Sequence, residues 1–489
     1  WRLGMARWAQ QFALSGVWVI FGIALLLIAA GYRLPALRTC AMALFAATVA
    51  KVLLFDPVLD EASYVPLLHH RVLPLIVIVA TLYAVAAWYP ARGSEQGRTR
   101  GAEMPVTLWA TGLLLWILST EAWLFVEDRG WELAGRGATA AEHLALAGVW
   151  LLFGTALLII GAVRGHPVLR WSGLGLLALT VAEVFIGNPP MTGPDYLPLV
   201  NSHAAPLLLL VAIGYATSSW YRQSDRLHEA ERDMAQPLML AATALLLWVS
   251  SAEAWCLVDR QLGLAGGAPE AIAAARQFAL SGVWVIFGAA LIAVGAAKSN
   301  SVLRWGGLGL LAITVMKVFT GDPPLTQEAY IPLINPHAAP LLAIVAVAFV
   351  AAVWYRRDEH LHESEQDVDT ALIVIGTGLL LWVFSAESWH FFGWQPGVSA
   401  YAADVARYAA LSTVWLAFAS AFLAIGTIRD SVAWRWAALV LFAMTTIKVL
   451  ALDPDLQKAT YTPLLNPHAL PLVVVALALF ALAAWYTRS

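Results

Sequence analysis

The sequence predicts an all-α polytopic membrane protein of about fifteen transmembrane helices, arranged as parallel four-helix repeats of about 132 residues. Three observations predict it. Of the 489 residues 60% are apolar and 12% charged, with a mean hydropathy of +0.72, whereas a soluble domain carries about 25% charged residues. The apolar runs are unbroken over roughly 20 residues, the length a helix needs to cross a bilayer, and are not the ten-residue alternations of a membrane barrel. The same phrases also return along the chain at nearly fixed spacing, the mark of a repeat architecture.

The first element of each repeat carries Ser15-Gly-Val-Trp18, which returns as Ala147-Gly-Val-Trp150, Ser281-Gly-Val-Trp284 and Ser412-Thr-Val-Trp415. In the first repeat this span runs from about Phe12 to Tyr32. The second, Leu37 to Phe55, opens on a recurring arginine (Arg38, Arg170, Arg304, Arg435) and carries a charge near its end: Lys51, Glu183, Lys317, Lys448. It stops at Asp56, Asn188, Asp322 or Asp453, each followed by proline. A loop with a recurring tyrosine (Tyr64, Tyr196, Tyr330, Tyr461) leads into the third span, Val72 to Tyr89, which closes on Trp-Tyr. The fourth span, Val106 to Val126, carries Trp-x-x-Ser-x-Glu-x-Trp around Glu121, Glu253 and Glu387. The repeats divide the chain at 1–130, 131–262, 263–396 and 397–489, the last with three spans. Four spans return the chain to the same side, so successive repeats are parallel.

These motifs resemble a family of large bacterial predicted membrane proteins catalogued as domain of unknown function twenty-three thirty-nine. The resemblance rests on Leu-Ser-x-x-Trp, a second span ending Lys-Val-x-x-x-Asp, the tyrosine loop and the Ser-x-Glu span, and covers essentially the whole chain. It implies a polytopic inner-membrane protein with further sequence upstream and no activity to carry over. Repeat 2 departs from it with Glu183 and Asn188. The chain opens on Trp1 with no recognisable signal peptide, so upstream residues are expected.

Lys and Arg concentrate in one set of loops, including Arg92, Arg98, Arg100, Arg222, Arg356 and Arg357. That set is expected in the cytoplasm, which places residue 1 on the periplasmic side and Ser489 on the cytoplasmic side of a bacterial inner membrane. The charged links from Arg222 to Asp233 and from Arg356 to Asp369 read as solvated elbows. Trp88, Trp220, Trp354 and Trp485 at one face, and Trp123, Trp255 and Trp389 near the other, read as interfacial belts. Trp18, Trp150, Trp284 and Trp415, with Trp116, Trp248 and Trp382, sit deeper and are expected to pack between helices. Cys40 and Cys256 fall at opposite faces, so no disulfide joins them.

The net charge of −3 gives no basic footprint for nucleic acid. No catalytic triad, P-loop, dinucleotide motif or zinc-protease helix appears. Gly173-Leu-Gly175 and Gly307-Leu-Gly309 lie within spans and read as packing positions. One histidine per repeat falls short of a zinc signature, so neither metal nor cofactor is expected. Asp56, Asn188, Asp322 and Asp453 read as helix caps, since Asn caps as well as Asp while it would disable a catalytic acid. Asn335 and Asn466 read as caps of the third span, with Asn201 as a weaker copy.

The intramembrane charges carry the functional reading. Lys51 lies about 7.5 Å, and Glu121 about 9 Å, below the same surface by helical rise. An ionised group there costs at least about 2.5–3.5 kcal/mol unless it snorkels, pairs or meets water. The expectation is a Lys–Glu pair between second and fourth spans. It does not balance: Lys51, Lys317 and Lys448 face Glu121, Glu183, Glu253 and Glu387, and Glu183 stands in a lysine position. Repeat 2 is therefore expected to hold a proton or cation site, since two carboxylates in a low-dielectric site cannot both stay ionised. The function ranked first is transport of a small polar or amphipathic solute, proton- or cation-coupled. A scaffold or assembly subunit of a cell-envelope complex comes second, and a lipid-linked glycosyl or acyl transferase using an outer-loop acid third; an enzyme is the less favoured class. Membrane lipids and a membrane or periplasmic protein are the expected partners.

Overall fold

The computed structural model describes residues 2–32, 34–54, 65–69, 72–88, 103–130, 138–188, 196–224, 227, 229–266, 268–322, 330–358, 365–395, 397–453, 466 and 468–486. Asp56, Tyr64 and Tyr461 lie outside them. Among the described residues there are sixteen helices and no strand. The all-α polytopic membrane fold expected from the sequence is what the chain adopts. Thirteen helices are long and apolar enough to cross a membrane. Two shorter apolar helices, α3 (Val72–Trp88) and α16 (Ala469–Tyr486), hold the third-span positions of repeats 1 and 4.

The helices fall into two compact bodies, 1–256 and 257–489. The first contains α1 (Arg2–Tyr32), α2 (Pro35–Leu54), α3, α4 (Glu103–Asp128), α5 (Ala138–Val163), α6 (Pro167–Gly187), α7 (Ala204–Gln223), the single turn α8 (Glu229–Arg232) and most of α9 (Ala235–Leu264). The second contains the end of α9, then α10 (Pro269–Ala297), α11 (Ser301–Thr320), α12 (Ala338–Arg357), α13 (Val368–Gly393), α14 (Ala400–Ile428), α15 (Val432–Ala451) and α16.

Each repeat folds around its own core. Val19, Phe45, Leu75 and Ile117 bring four helices together in repeat 1. Leu151, Leu177, Leu207 and Val249 do so in repeat 2, and Val285, Leu311, Leu341 and Val383 in repeat 3. Leu416, Phe442 and Val475 join the three helices of repeat 4. Within a body, consecutive repeats are stitched by one recurring contact. Trp150 Nε1 on α5 donates to Ser119 Oγ on α4 at 2.9 Å, and Trp415 Nε1 on α14 donates to Ser385 Oγ on α13 at 3.1 Å. Trp150 and Trp415 thus act as donors across helix seams, where an indole N–H in lipid must find an acceptor. Trp116, Trp248 and Trp382, expected to pack between helices, are instead exposed on the helix surfaces.

In repeats 2 to 4 the first and second spans form the tightest hairpins, for two reasons legible in the residues. The turn between them takes a left-handed residue at Gly165, Ser299 and Asp430, with φ of 65°, 49° and 49°. The next N–H reaches back to the carbonyl five residues earlier, as from His166 to Gly161, Asn300 to Gly295 and Ser431 to Gly426, at 2.8–2.9 Å. This is the Schellman geometry that closes a helix sharply. Midway along the hairpin small residues face each other at Gly154 and Gly173 and at Gly288 and Gly307, and the corresponding Ala419 and Ala438 are both fully buried in one core cluster. In lipid no hydrophobic force drives helices together, so close backbone approach supplies the packing energy.

Of the glycine pairs noted in the sequence, only the first member of each packs this way. A Cβ on Gly307 would lie 2.6 Å from the Gly288 carbonyl oxygen, while Gly309 has nothing within 4 Å. Gly307→Ala should therefore destabilise the chain by about 1–3 kcal/mol despite alanine's higher helix propensity. Gly309→Ala should be neutral or gain up to about 1 kcal/mol. Thermal unfolding of the two purified variants in one detergent checks both.

Candidate functional site

Polar chemistry concentrates in three kinds of site, each at an end of the helices. At the end bearing the recurring arginines, Arg170 on α6 grips Glu231 of α8 with Nη2 at 2.7 and 2.8 Å from the two carboxylate oxygens. Its Nη1 donates to the Gly161 carbonyl at 3.0 Å. Arg304 repeats this with Glu365 at 2.8 and 2.5 Å and with the Gly295 carbonyl at 3.2 Å. Both pairs are almost wholly buried, Glu365 with no exposed surface. The elbows are thus only partly solvated connectors: each hides one glutamate under the bundle. In repeat 4 the arginine meets Asp430 instead, at 3.1 Å.

At the opposite end lie the charges singled out from the sequence, and they do not form the expected Lys–Glu pairs. The lysines turn toward the first span of their own repeat. Lys51 Nζ donates to Ser15 Oγ at 2.8 Å and to the Gln11 carbonyl at 2.6 Å. Lys317 donates to Ser281 Oγ and the Gln277 carbonyl, both at 2.8 Å, and to Asp322 at 2.5 Å. Lys448 binds Ser412 Oγ at 2.7 Å, the Tyr408 carbonyl, and Asp453 at 2.8 Å. Asp322 and Asp453 are therefore counter-ions in buried pairs, a role that the capping reading did not assign them. An acid so engaged does not offer the unpaired carboxylate that a transferase needs.

The glutamates occupy a separate cage built by the loop ahead of the third span. Glu253 accepts from Leu199 N at 2.6 Å, Tyr196 Oη at 2.6 Å and Asn201 Nδ2 at 2.8 Å. Glu387 accepts from Leu333 N at 2.8 Å, Tyr330 Oη at 2.9 Å and Asn335 Nδ2 at 2.6 Å. In repeat 1 Leu67 N lies 2.8 Å from Glu121 Oε2, and His69, at the asparagine position, puts Nε2 2.5 Å from Oε1. The three leucines all adopt positive φ, 60°, 62° and 61°. This is a strained state for a residue with a γ-branched side chain, and it aims the N–H at the carboxylate. Burial and the bond to Glu387 raise the pKa of Tyr330, so it stays a protonated donor. Asn335 and Asn466 also accept at Oδ1 from the N–H groups two and three residues on, at 2.7–3.1 Å, which is capping geometry. Beside Glu387 a cavity of about 130 Å³ is lined by His337, Trp382, Ala386 and His390.

Repeat 2 changes the lysine site at every position. Glu183 replaces the lysine, Ala147 the serine and Asn188 the aspartate. The new partner is His143 on α5, whose Nδ1 lies 2.5 Å from Glu183 Oε1. No second glutamate meets Glu183, contrary to the expected carboxylate pair: Glu121 and Glu253 are held in their own cages. Asn188 is wholly buried, and neither its amide nitrogen nor its oxygen has a hydrogen-bond partner. Among the described residues no cluster of three His, Cys, Asp or Glu could hold a metal ion.

Sequence reading missed His143, Glu231 and Glu365. Fixed separations would have found them, since 61 residues part each arginine from its glutamate, and 40 part His143 from Glu183 as they part Gln277 from Lys317. No protein-family model, curated protein or solved structure matches this chain significantly.

Removing one partner of a buried ion pair leaves the other charge uncompensated. Glu365→Gln should cost about 3–5 kcal/mol. Arg356→Ala, which removes the exposed partner of Asp369, should cost under about 1 kcal/mol. Unfolding of the two variants in detergent should separate by that margin.

Proposed function

We propose that this integral membrane protein transports a small polar or amphipathic solute across a bacterial inner membrane, with coupling to a positive charge bound in repeat 2. Residue 1 lies on the periplasmic side and Ser489 on the cytoplasmic side, following the excess of arginine at one set of helix ends. The motif resemblance to domain of unknown function twenty-three thirty-nine supports placing the chain in that family.

The observation that carries the reading is the single altered copy. Repeats 3 and 4 hold a lysine neutralised by an aspartate, which is a fixed charge pair. Repeat 2 holds an acid and a histidine at the same place, and such a pair can gain and lose charge. Ionisable residues kept inside a membrane at cost mark ion and solute pathways by default. The scaffold reading has its own support, because the arginine and glutamate sites are internally satisfied and serve packing.

Proteoliposomes holding the purified chain and a pH-sensitive dye separate the two. Challenged in turn with polar metabolites and lysolipids, the wild-type chain should move protons with at least one of them, and Glu183→Gln should lose most of that movement. Solute movement that Glu183→Gln leaves unchanged removes the coupling role, and a chain that moves no solute is a scaffold.

A further inference from the structure

The lysine site and its altered copy form an internal comparison. In repeat 3 Lys317 and Asp322 sum to zero charge, and Arg276 nearby is bonded to Asp259. One repeat earlier the same four positions hold Glu183, Asn188 and Glu142 of repeat 2 and Glu127 at the end of repeat 1. Both cations have become acids, Asp322 has become the neutral Asn188, and Asp259 is matched by another acid, Glu127. The added base is His143, in the place of Gln277 and Tyr408. Gly187 makes room for it, since a Cβ there would collide with the imidazole ring. Trp123 of α4 packs edge-on against that ring at 5.3 Å between centroids.

We propose that one exchangeable proton, bound by the His143–Glu183 pair, replaces in repeat 2 the lysine ammonium of the other repeats. With Nδ1–H donating to Glu183 the neutral imidazole leaves the pair with one net negative charge. A proton taken up at Nε2 makes an imidazolium–carboxylate pair of zero net charge, the sum that Lys317 and Asp322 have. Release returns the proton from Nε2 and restores the negative pair. Asn188 supplies the second observation. Its buried, unpartnered amide holds the position at which Asp322 meets the ammonium, and offers N–H donors and a carbonyl acceptor to a water that would carry the proton in.

The other ionisable groups on elements packed against α5 at this end are acids or have contacts of their own. On α4, Glu121 is held by Leu67 and His69, Glu127 and Asp128 are acidic, and the following Arg129 lies over the Phe125 ring. Ahead of α7, His203 Nδ1 is bonded to the Asn188 carbonyl at 2.6 Å. On α5 itself Glu142 adds a further acid.

The proposal deepens the transport reading, and rests on it for the use of the proton but not for its binding. The test uses the full chain in lipid nanodiscs, with proton uptake and tryptophan fluorescence recorded between about pH 5 and 8, the range in which histidine changes charge. The wild type should take up one more proton per chain than His143→Gln and show quenching that Trp123→Phe removes. The fourfold variant H143Q/A147S/E183K/N188D rebuilds the sibling site, so it should fold while losing that proton. Equal uptake by wild type and the fourfold variant overturns the proposal, as does sodium at constant pH reproducing the spectral change. A titrating proton without solute movement removes the transport reading alone, whereas solute movement without the proton removes this proposal and the proton coupling but leaves transport standing.

Discussion

The constraint on which this structure depends is that every ionisable group drawn into the spans must meet a counter-charge or a set of hydrogen bonds on the spot. A charge left alone in a low-dielectric interior costs several kcal/mol, while apolar packing between helices in lipid gains little over packing against lipid itself. Shape alone therefore sets helix register weakly, and the polar sites set it strongly. Arg170 and Arg304 fasten one end of each second span to the elbow glutamate. At the other end Lys317 and Lys448 fasten it to the first span, and Glu253 and Glu387 fasten the fourth span to the loop ahead of the third. Between these ends the glycine and alanine contacts let the first two helices close.

The leucine turns show the same constraint outweighing local preference. A non-glycine residue held at positive φ costs on the order of 1–3 kcal/mol. A hydrogen bond to a charged group is worth about 1.5–3 kcal/mol, and an unsatisfied buried carboxylate costs more than that. Each strained leucine supplies one of the donors that its glutamate needs, and the adjoining asparagine or histidine supplies another. The carboxylate's demand thus exceeds the strain, which explains a backbone state found at Leu67, Leu199 and Leu333 alike.

How far the sequence reveals this differs by level. Span number, the recurring arginines, lysines and glutamates and the oddity of Glu183 are all legible, because lipid imposes composition and length directly. Pairing is not. Lys51 and Glu121 lie at matching depth, but depth says nothing about azimuth: the lysine faces α1 and the glutamate faces a loop. Glu231 and Glu365 sit in charged stretches that look like any solvated connector, and only the arginine's reach makes them buried. The positive φ of the leucines has no signal in a residue type that rarely adopts it.

Asn188 shows why a position cannot be read by its own propensity. As a cap, asparagine is equivalent to aspartate, and the exchange looks neutral. At a position whose counterparts Asp322 and Asp453 meet the lysines that Glu183 replaces, it is not. With Glu183 in place of lysine, an aspartate at 188 would set two carboxylates against each other in a buried site, where one must be neutralised. With lysine retained, an asparagine would strand an ammonium, at the roughly 3–5 kcal/mol of a broken buried pair. Neither single change is compatible with a stable site, so the two go together. The serine that served the ammonium is then superfluous, as Ala147 shows, and the acid requires a base, which His143 on the facing helix provides. The four differences in repeat 2 are one change of charge in the membrane, spread over the positions that have to agree.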